Sequence, residues 1–233
     1  MMTDLAPGLD ALAGGIVVSC QAGPDSPLNS PAMIAALAAS AERGGAVGFR
    51  VDGVENIKAV RGISSLPIIG INKQPHVGFD VFITPTAQSA VDVAVAGSQI
   101  VAVDGTARPR PGGGSFTQIV RALHEVDAQV MADVATADEG LRALDAGADV
   151  AATTLAGYTE YSTDKGEPAF DVLQAIVARG GRVIVEGRIW TVEHVANAFE
   201  LGAFAVVIGS AVTVPEFITR RFVAAAGRVE QQA

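Results

Sequence analysis

The sequence predicts a single (β/α)8 barrel domain over residues 1–233, and three observations carry that expectation. Eight short β-branched runs alternate with eight longer Ala-rich stretches of helical period. Four helix candidates stop on a glycine and a small residue at Gly44-Gly45, Gly97-Ser98, Gly147-Ala148 and Gly202-Ala203, one before each even-numbered strand. Glycine suits the left-handed backbone that ends a helix, and the spacing of roughly fifty residues suggests a repeated two-unit module. An open doubly wound sheet would carry G-x-G-x-x-G after its first strand; here that strand runs into Ser19-Cys20-Gln21.

In chain order, residues 1–14 form an N-terminal lead-in. Strand one (Ile16–Cys20) is followed by helix Pro31–Arg43, strand two (Ala46–Arg50) by Val54–Arg61, and strand three (Pro67–Ile71) by Ala87–Ala96. Strand four (Ile100–Asp104) leads to helix Phe116–Val126, strand five (Gln129–Asp133) to Ala137–Ala146, and strand six (Val150–Thr154) to Phe170–Ala178. Strand seven (Arg182–Glu186) and helix Val192–Leu201, then strand eight (Ala205–Gly209) and helix Pro215–Ala226, complete the set. The strands are apolar along most of their length, as expected of strands covered on both faces.

Composition narrows function. Half the residues (49%) are hydrophobic, 18% are charged, and the formal net charge is −9, with 16 basic against 25 acidic residues. That balance argues against nucleic-acid and anionic-membrane partners. A single cysteine, Cys20, permits no internal disulfide; with no signal peptide or membrane-length apolar run, it predicts a soluble cytoplasmic protein. Three histidines and one cysteine leave little for a soft-metal site, and no metal is expected.

Barrel active sites gather at the C-terminal ends of the strands. Gln21, Arg50 and Lys73 stand at or after strands one to three; Asp104, Asp133, Thr153 and Thr154 end strands four to six. Glu186, Gly187 and Arg188 close strand seven, and Gly209-Ser210 closes strand eight. Any one could be a cap or a loop residue; the ring of them is the signal. Gly187 and Gly209-Ser210 offer bare backbone, and Arg188 a charged fork, for a phosphate; the plainer reading of both glycines is a turn. Of three lysines, Lys58 and Lys165 read as solvated, whereas Lys73 at the mouth suits a base or a Schiff-base amine rather than a chain reaching for water. Glu186 ends a buried run and needs a partner, either Arg188 or a ligand. Arg50 reads as an anion ligand, and Cys20 as a small buried residue lining the mouth. Residues 108–115 are either a mobile cover or a connection capped by Ser115.

At these residues the sequence resembles a known family, the N-acylglucosamine-6-phosphate (N-acetylmannosamine-6-phosphate) 2-epimerases of bacterial sialic-acid catabolism. The stretches that carry the resemblance are residues 14–22, 44–50, 81–86, 106–111, 131–133, 153–159 and 186–189. It implies a metal-free and cofactor-free inversion at C2 of a 2-acetamido sugar 6-phosphate. On this likeness Lys73 is the base and Glu186 its acid/base counterpart. Gln21, Arg50, Asp133, Thr154 and Tyr158 fall among substrate-binding residues, and Gly187, Arg188, Gly209 and Ser210 where the phosphate is held. A homodimer is suggested by the likeness alone. Family members usually continue Lys-Arg-Asp-Tyr after the strand-three lysine, whereas Lys73 precedes Gln74-Pro75-His76; Ala13 stands for a common lysine and Trp190 for a polar residue.

The residues suit the chemistry. Inversion requires loss of the proton beside the C1 aldehyde of the opened sugar, and the enediolate needs positive charge or donors nearby. Two other readings stay open: a Schiff-base aldolase or lyase using Lys73, and a sugar-phosphate-binding barrel without turnover.

Overall fold

The computed structural model describes residues 8–227. Eight parallel strands close into a ring in sequence order, β8 pairing back onto β1. They are β1 (Ile16–Cys20), β2 (Gly48–Asp52), β3 (Ile68–Ile71), β4 (Ile100–Asp104), β5 (Gln129–Asp133), β6 (Val150–Ala152), β7 (Val183–Glu186) and β8 (Ala205–Ile208). The covering helices are α1 (Pro31–Arg43), α2 (Val54–Arg61), α3 (Ala87–Val95), α4 (Phe116–His124), α5 (Ala137–Asp145), α6 (Phe170–Val177) and α7 (Val192–Glu200), with α8 (Ser210–Thr213) and α9 (Pro215–Ala225) after β8. The (β/α)8 barrel expected from sequence is the fold.

Local chemistry sets the boundaries. Thr86, Ser115 and Thr136 cap α3, α4 and α5 through reciprocal capping boxes. Gly45, Gly97, Gly147 and Gly202 all take positive φ, as the four stops require. Strand alternation then separates two cores. Val18, Cys20, Phe49, Val51, Val101, Val103, Val130 and Ala132 face outward into α1–α4, while Val17, Ile69, Ile71, Ile100, Ala102, Met131, Val150, Ile184 and Val207 fill the ring. Cys20 therefore packs against helices and does not line the mouth. Burial pushes its thiol up to about 12, which leaves it inert.

Most boundaries fall within one or two residues of expectation, and three departures bear on the barrel's two ends. Strand two runs to Asp52, so Arg50 and Asp52 both lie within it, on the same inward face. Strand six stops at Ala152, and a 3-10 turn, Thr153–Leu155, takes over. Of the N-terminal lead-in, residues 1–7 lie outside the described residues, while Leu9–Leu12 form a 3-10 turn that closes the barrel floor. Leu9 and Leu12 are fully buried, and a Cβ at Gly48 would stand 2.6 Å from Leu12 Cδ2, so the floor requires glycine there. Among the described residues no helix is long and apolar enough to cross a membrane.

Candidate active site

At the C-terminal end of the ring the inward positions turn from apolar to charged. Arg50, 1% exposed, sits at the centre. Its Nη1 donates to Asp133 Oδ1 at 3.2 Å and to Thr154 Oγ1 at 3.1 Å, its Nη2 donates to Asp133 Oδ2 at 2.6 Å, and Glu186 takes a further bond from Nη1. Thr154 Oγ1 lies 2.6 Å from Asp133 Oδ1 and 3.4 Å from Glu186 Oε2. The end of β7 is tied down twice: Glu186 N donates to Thr153 Oγ1 (3.0 Å), which donates to Glu186 O (2.9 Å). Three strands, β2, β5 and β7, and the turn after β6 thus meet at one guanidinium.

Electrostatics follow from burial. Burial pushes the carboxyls of Asp133 and Glu186 up, and Arg50 opposes it. Burial alone would pull Arg50 down; Asp133 and Glu186 overrule it and raise its pKa. Carboxyls held above their ordinary range beside a fixed cation are suited to proton transfer.

Lys73 stands just above this cluster, at the foot of a short hairpin formed by residues 72–84. Its Nζ donates to Gln21 Oε1 at 2.6 Å, and Gln21 Nε2 donates to Ser19 Oγ at 2.8 Å. The amine is open to solvent at the mouth, yet the surrounding protein partly desolvates it and pulls its pKa down. Arg50 acts in the same direction; Asp52, Glu186 and Asp133 oppose. The structure therefore gathers Gln21, Arg50, Lys73, Asp133, Thr154 and Glu186 into one site.

Arg188 and Tyr158 stand apart from it. Gly187 (φ 102°) and Arg188 (φ 57°) swing the chain outward, so the guanidinium stacks 4.3 Å from the Tyr158 ring. Arg188 Nη1 donates to Ala156 O at 2.8 Å, and Nε lies 2.8 Å from Asp164 Oδ1. Glu186 is thus paired with Arg50 and not with Arg188, because the left-handed step between them sends the two side chains opposite ways. Arg188 also borders a cavity of about 340 Å³ beside α6, lined by Thr136, Lys165 and Asp171 among others, outside the charged ring. Gly209 precedes α8, which Ser210 opens, one strand over from Gly187.

Asp104 serves a different purpose. Fully buried, it accepts from Thr106 N, Thr106 Oγ1 and Arg108 Nη2, while its carbonyl accepts from Arg110. Residues 108–115 are therefore a connection pinned at β4, with Ser115 capping α4. Two neighbours of these candidate residues, Asp52 beside Lys73 and Asp164 beside Arg188, escaped the sequence reading. Asp52 was legible in principle, two residues past Arg50 on the same strand face, but only with the longer strand. Asp164 sits in a polar loop that nothing local distinguishes.

Known proteins resemble this chain in sequence and in fold. A family model described as "Putative N-acetylmannosamine-6-phosphate epimerase" matches residues 34–228. Relatives bearing the same description as a 2-epimerase include one from Cutibacterium acnes, 45% identical over 216 residues (91% of this chain, 93% of the relative). Another, from Caldanaerobacter subterraneus, is 42% identical over 218 residues, 92% of both. The solved N-acetylmannosamine-6-phosphate 2-epimerase of Clostridium perfringens superposes with a TM-score of 0.91 at 38% identity, covering 93% of this chain and 95% of that one. A thiamine phosphate pyrophosphorylase from Pyrococcus furiosus, at 16% identity and a TM-score of 0.59, shares the fold alone. On the extent and identity of these matches, the chain belongs to the N-acetylmannosamine-6-phosphate epimerase family.

Proposed function

We propose that this chain interconverts N-acetylmannosamine 6-phosphate and N-acetylglucosamine 6-phosphate by inverting C2, as in the breakdown of amino sugars and sialic acid. The observation that carries the proposal is the amine of Lys73, held by Gln21 over the Arg50–Asp133–Thr154–Glu186 cluster. Lys73, as the free amine, takes the C2 proton of the opened sugar. The C2–H electron pair enters the C1–C2 bond, and the carbonyl electrons move to O1. Arg50, already desolvated and fixed, meets the developing charge without reorganising. Glu186 in its protonated form returns a proton to the opposite face of C2, while Lys73 sheds the one it took to solvent at the open mouth. Each positioned acid or base contributes ~10²–10⁴-fold.

The phosphate lies, on this proposal, at Gly187, Arg188, Gly209 and Ser210, where the first N–H groups of α8 lack intrahelical partners. Arg188 reaches it by exchanging Asp164, a 58% exposed carboxylate, for phosphate oxygens. Tyr158 supports that guanidinium by stacking. We further propose a cytoplasmic homodimer: the one thiol fits a reducing compartment, and α9 buries none of its residues and exposes Phe217, Phe222 and Val223.

Incubating the purified protein with N-acetylmannosamine 6-phosphate and following the sugar signals by NMR tests the reaction. Equilibration with the glucosamine epimer supports it. Borohydride trapping of substrate on Lys73 would point instead to Schiff-base chemistry, and tight binding without conversion to a sensor.

A further inference from the structure

The hairpin that carries Lys73 is anchored with unusual care. Thr84 is fully buried at a positive φ of 46°, a conformation uncommon for a β-branched residue. Thr84 N donates to Asn72 O at 3.0 Å, and Asn72 N donates to Thr84 Oγ1 at 3.1 Å, closing the foot of the hairpin. Gln74 N donates to Phe82 O at 2.9 Å one rung above. Between those rungs the Lys73 N–H leaves the hairpin and donates to Asp52 Oδ1 at 2.9 Å, across to β2. Asp52 is half-buried on the inward face of that strand, two residues beyond Arg50.

We propose that Asp52 is a positioning residue for the C2 inversion: its carboxylate anchors the main chain of Lys73 and places negative charge beside the amine. The inference rests on Lys73 being the base. The charged groups that face the amine are Arg50 and Asp52 from β2, Asp133 from β5 and Glu186 from β7. Among these, Arg50 disfavours the ammonium, and Asp52 is the strongest of the three carboxylates that favour it. Asp133 and Glu186 are bonded to Arg50, whereas the Asp52 carboxylate accepts from the main-chain N–H of Lys73 and has no cation bonded to it among the described residues. Asp52 therefore keeps Lys73 basic enough to hold the proton it abstracts, in a site whose burial and central cation work against it.

Two substitutions separate anchor from charge. Asp52→Asn keeps an acceptor oxygen for the Lys73 N–H and removes the charge; Asp52→Ala removes both. The chain has three lysines, Lys58, Lys73 and Lys165, so ε-¹³C-lysine labelling gives few signals, and Lys73→Ala assigns the one at the site. In Asp52→Asn the Lys73 signal is expected to titrate at lower pH than in the wild type. The acid limb of kcat/KM is expected to move to lower pH with it, because the free amine is the active form. Asp52→Ala should show the same shift and lose about tenfold or more further in kcat, the cost of a misplaced base. An unmoved titration and acid limb in Asp52→Asn would overturn the electrostatic part, and equal kcat in the two variants the anchoring part. If Lys73→Ala keeps wild-type turnover, the underlying assignment of the base fails instead, and the NMR titration still reports on Asp52.

Discussion

Replacing Arg50 with methionine keeps the length of the side chain and removes the only cation bonded to Asp133 and Glu186 among the described residues. Breaking a buried ion pair by deleting one partner costs about 3–5 kcal/mol. For a chain of this size each kcal/mol shifts Tm by about 2–4 °C, so the melting point at pH 8 should fall by roughly 6–20 °C. The loss should depend on pH in a definite direction. Burial already holds the Asp133 and Glu186 carboxyls above their unfolded values, and removing Arg50 raises them further. A carboxyl whose folded pKa is raised contributes stability below its unfolded pKa and loses it as pH rises through the folded value. The wild type should therefore soften somewhat as pH rises through that window. The variant should soften more, and over a window reaching to higher pH. Calorimetric or circular-dichroism melts between about pH 5 and 8 measure the gap, which should narrow as the solution is acidified. A gap that widens on acidification, or a variant within about 2 °C of the wild type throughout, would refute the picture of two buried carboxyls held by one guanidinium.

Arg188→Ala should raise KM for the sugar phosphate by tenfold or more while leaving kcat near the wild-type value, since the guanidinium lies outside the Lys73 cluster; steady-state kinetics decide, and an unchanged KM removes Arg188 from phosphate binding. Leu12→Ala opens the floor of the ring and should cost about 2–5 kcal/mol in denaturant melts with kcat intact; a loss of kcat at full stability would mean that the floor influences the mouth directly. Cys20, buried with its thiol pushed up to about 12, should resist alkylation in the native protein at neutral pH, and Cys20→Ala should retain activity; rapid labelling of the folded enzyme would contradict the outward packing.

How much of this was legible beforehand depended on how local the information was. The eight strands announced themselves because each is covered on both faces and reads as a β-branched run, and the helices began and ended within two residues of expectation where a cap or a glycine marked the boundary. Boundaries slipped where neighbouring strands decide the pairing. Val51 and Asp52 extend β2 because they pair with Gly70 and Ile71 of β3, which no local pattern reveals, and Asp52 was missed with them. The partner of Glu186 lies 136 residues away on β2, whereas Arg188, two residues away, is turned outward by positive φ at Gly187 and at Arg188 itself. Ring membership of Gln21, Lys73, Asp133 and Thr154 was readable because strand ends in a closed barrel converge whatever their sequence separation. The Leu9–Leu12 floor looked like a lead-in because four residues carry too short a pattern to register as an element.

The most direct test of the mechanism is solvent exchange: N-acetylmannosamine 6-phosphate in D2O, followed by proton NMR at C2 with the wild-type protein and with Lys73→Ala. The wild type should replace the C2 proton with deuterium while both epimers build up, and Lys73→Ala, melting normally and still binding the sugar phosphate, should leave that proton in place. Exchange at the wild-type rate in the absence of the Lys73 amine would contradict the account.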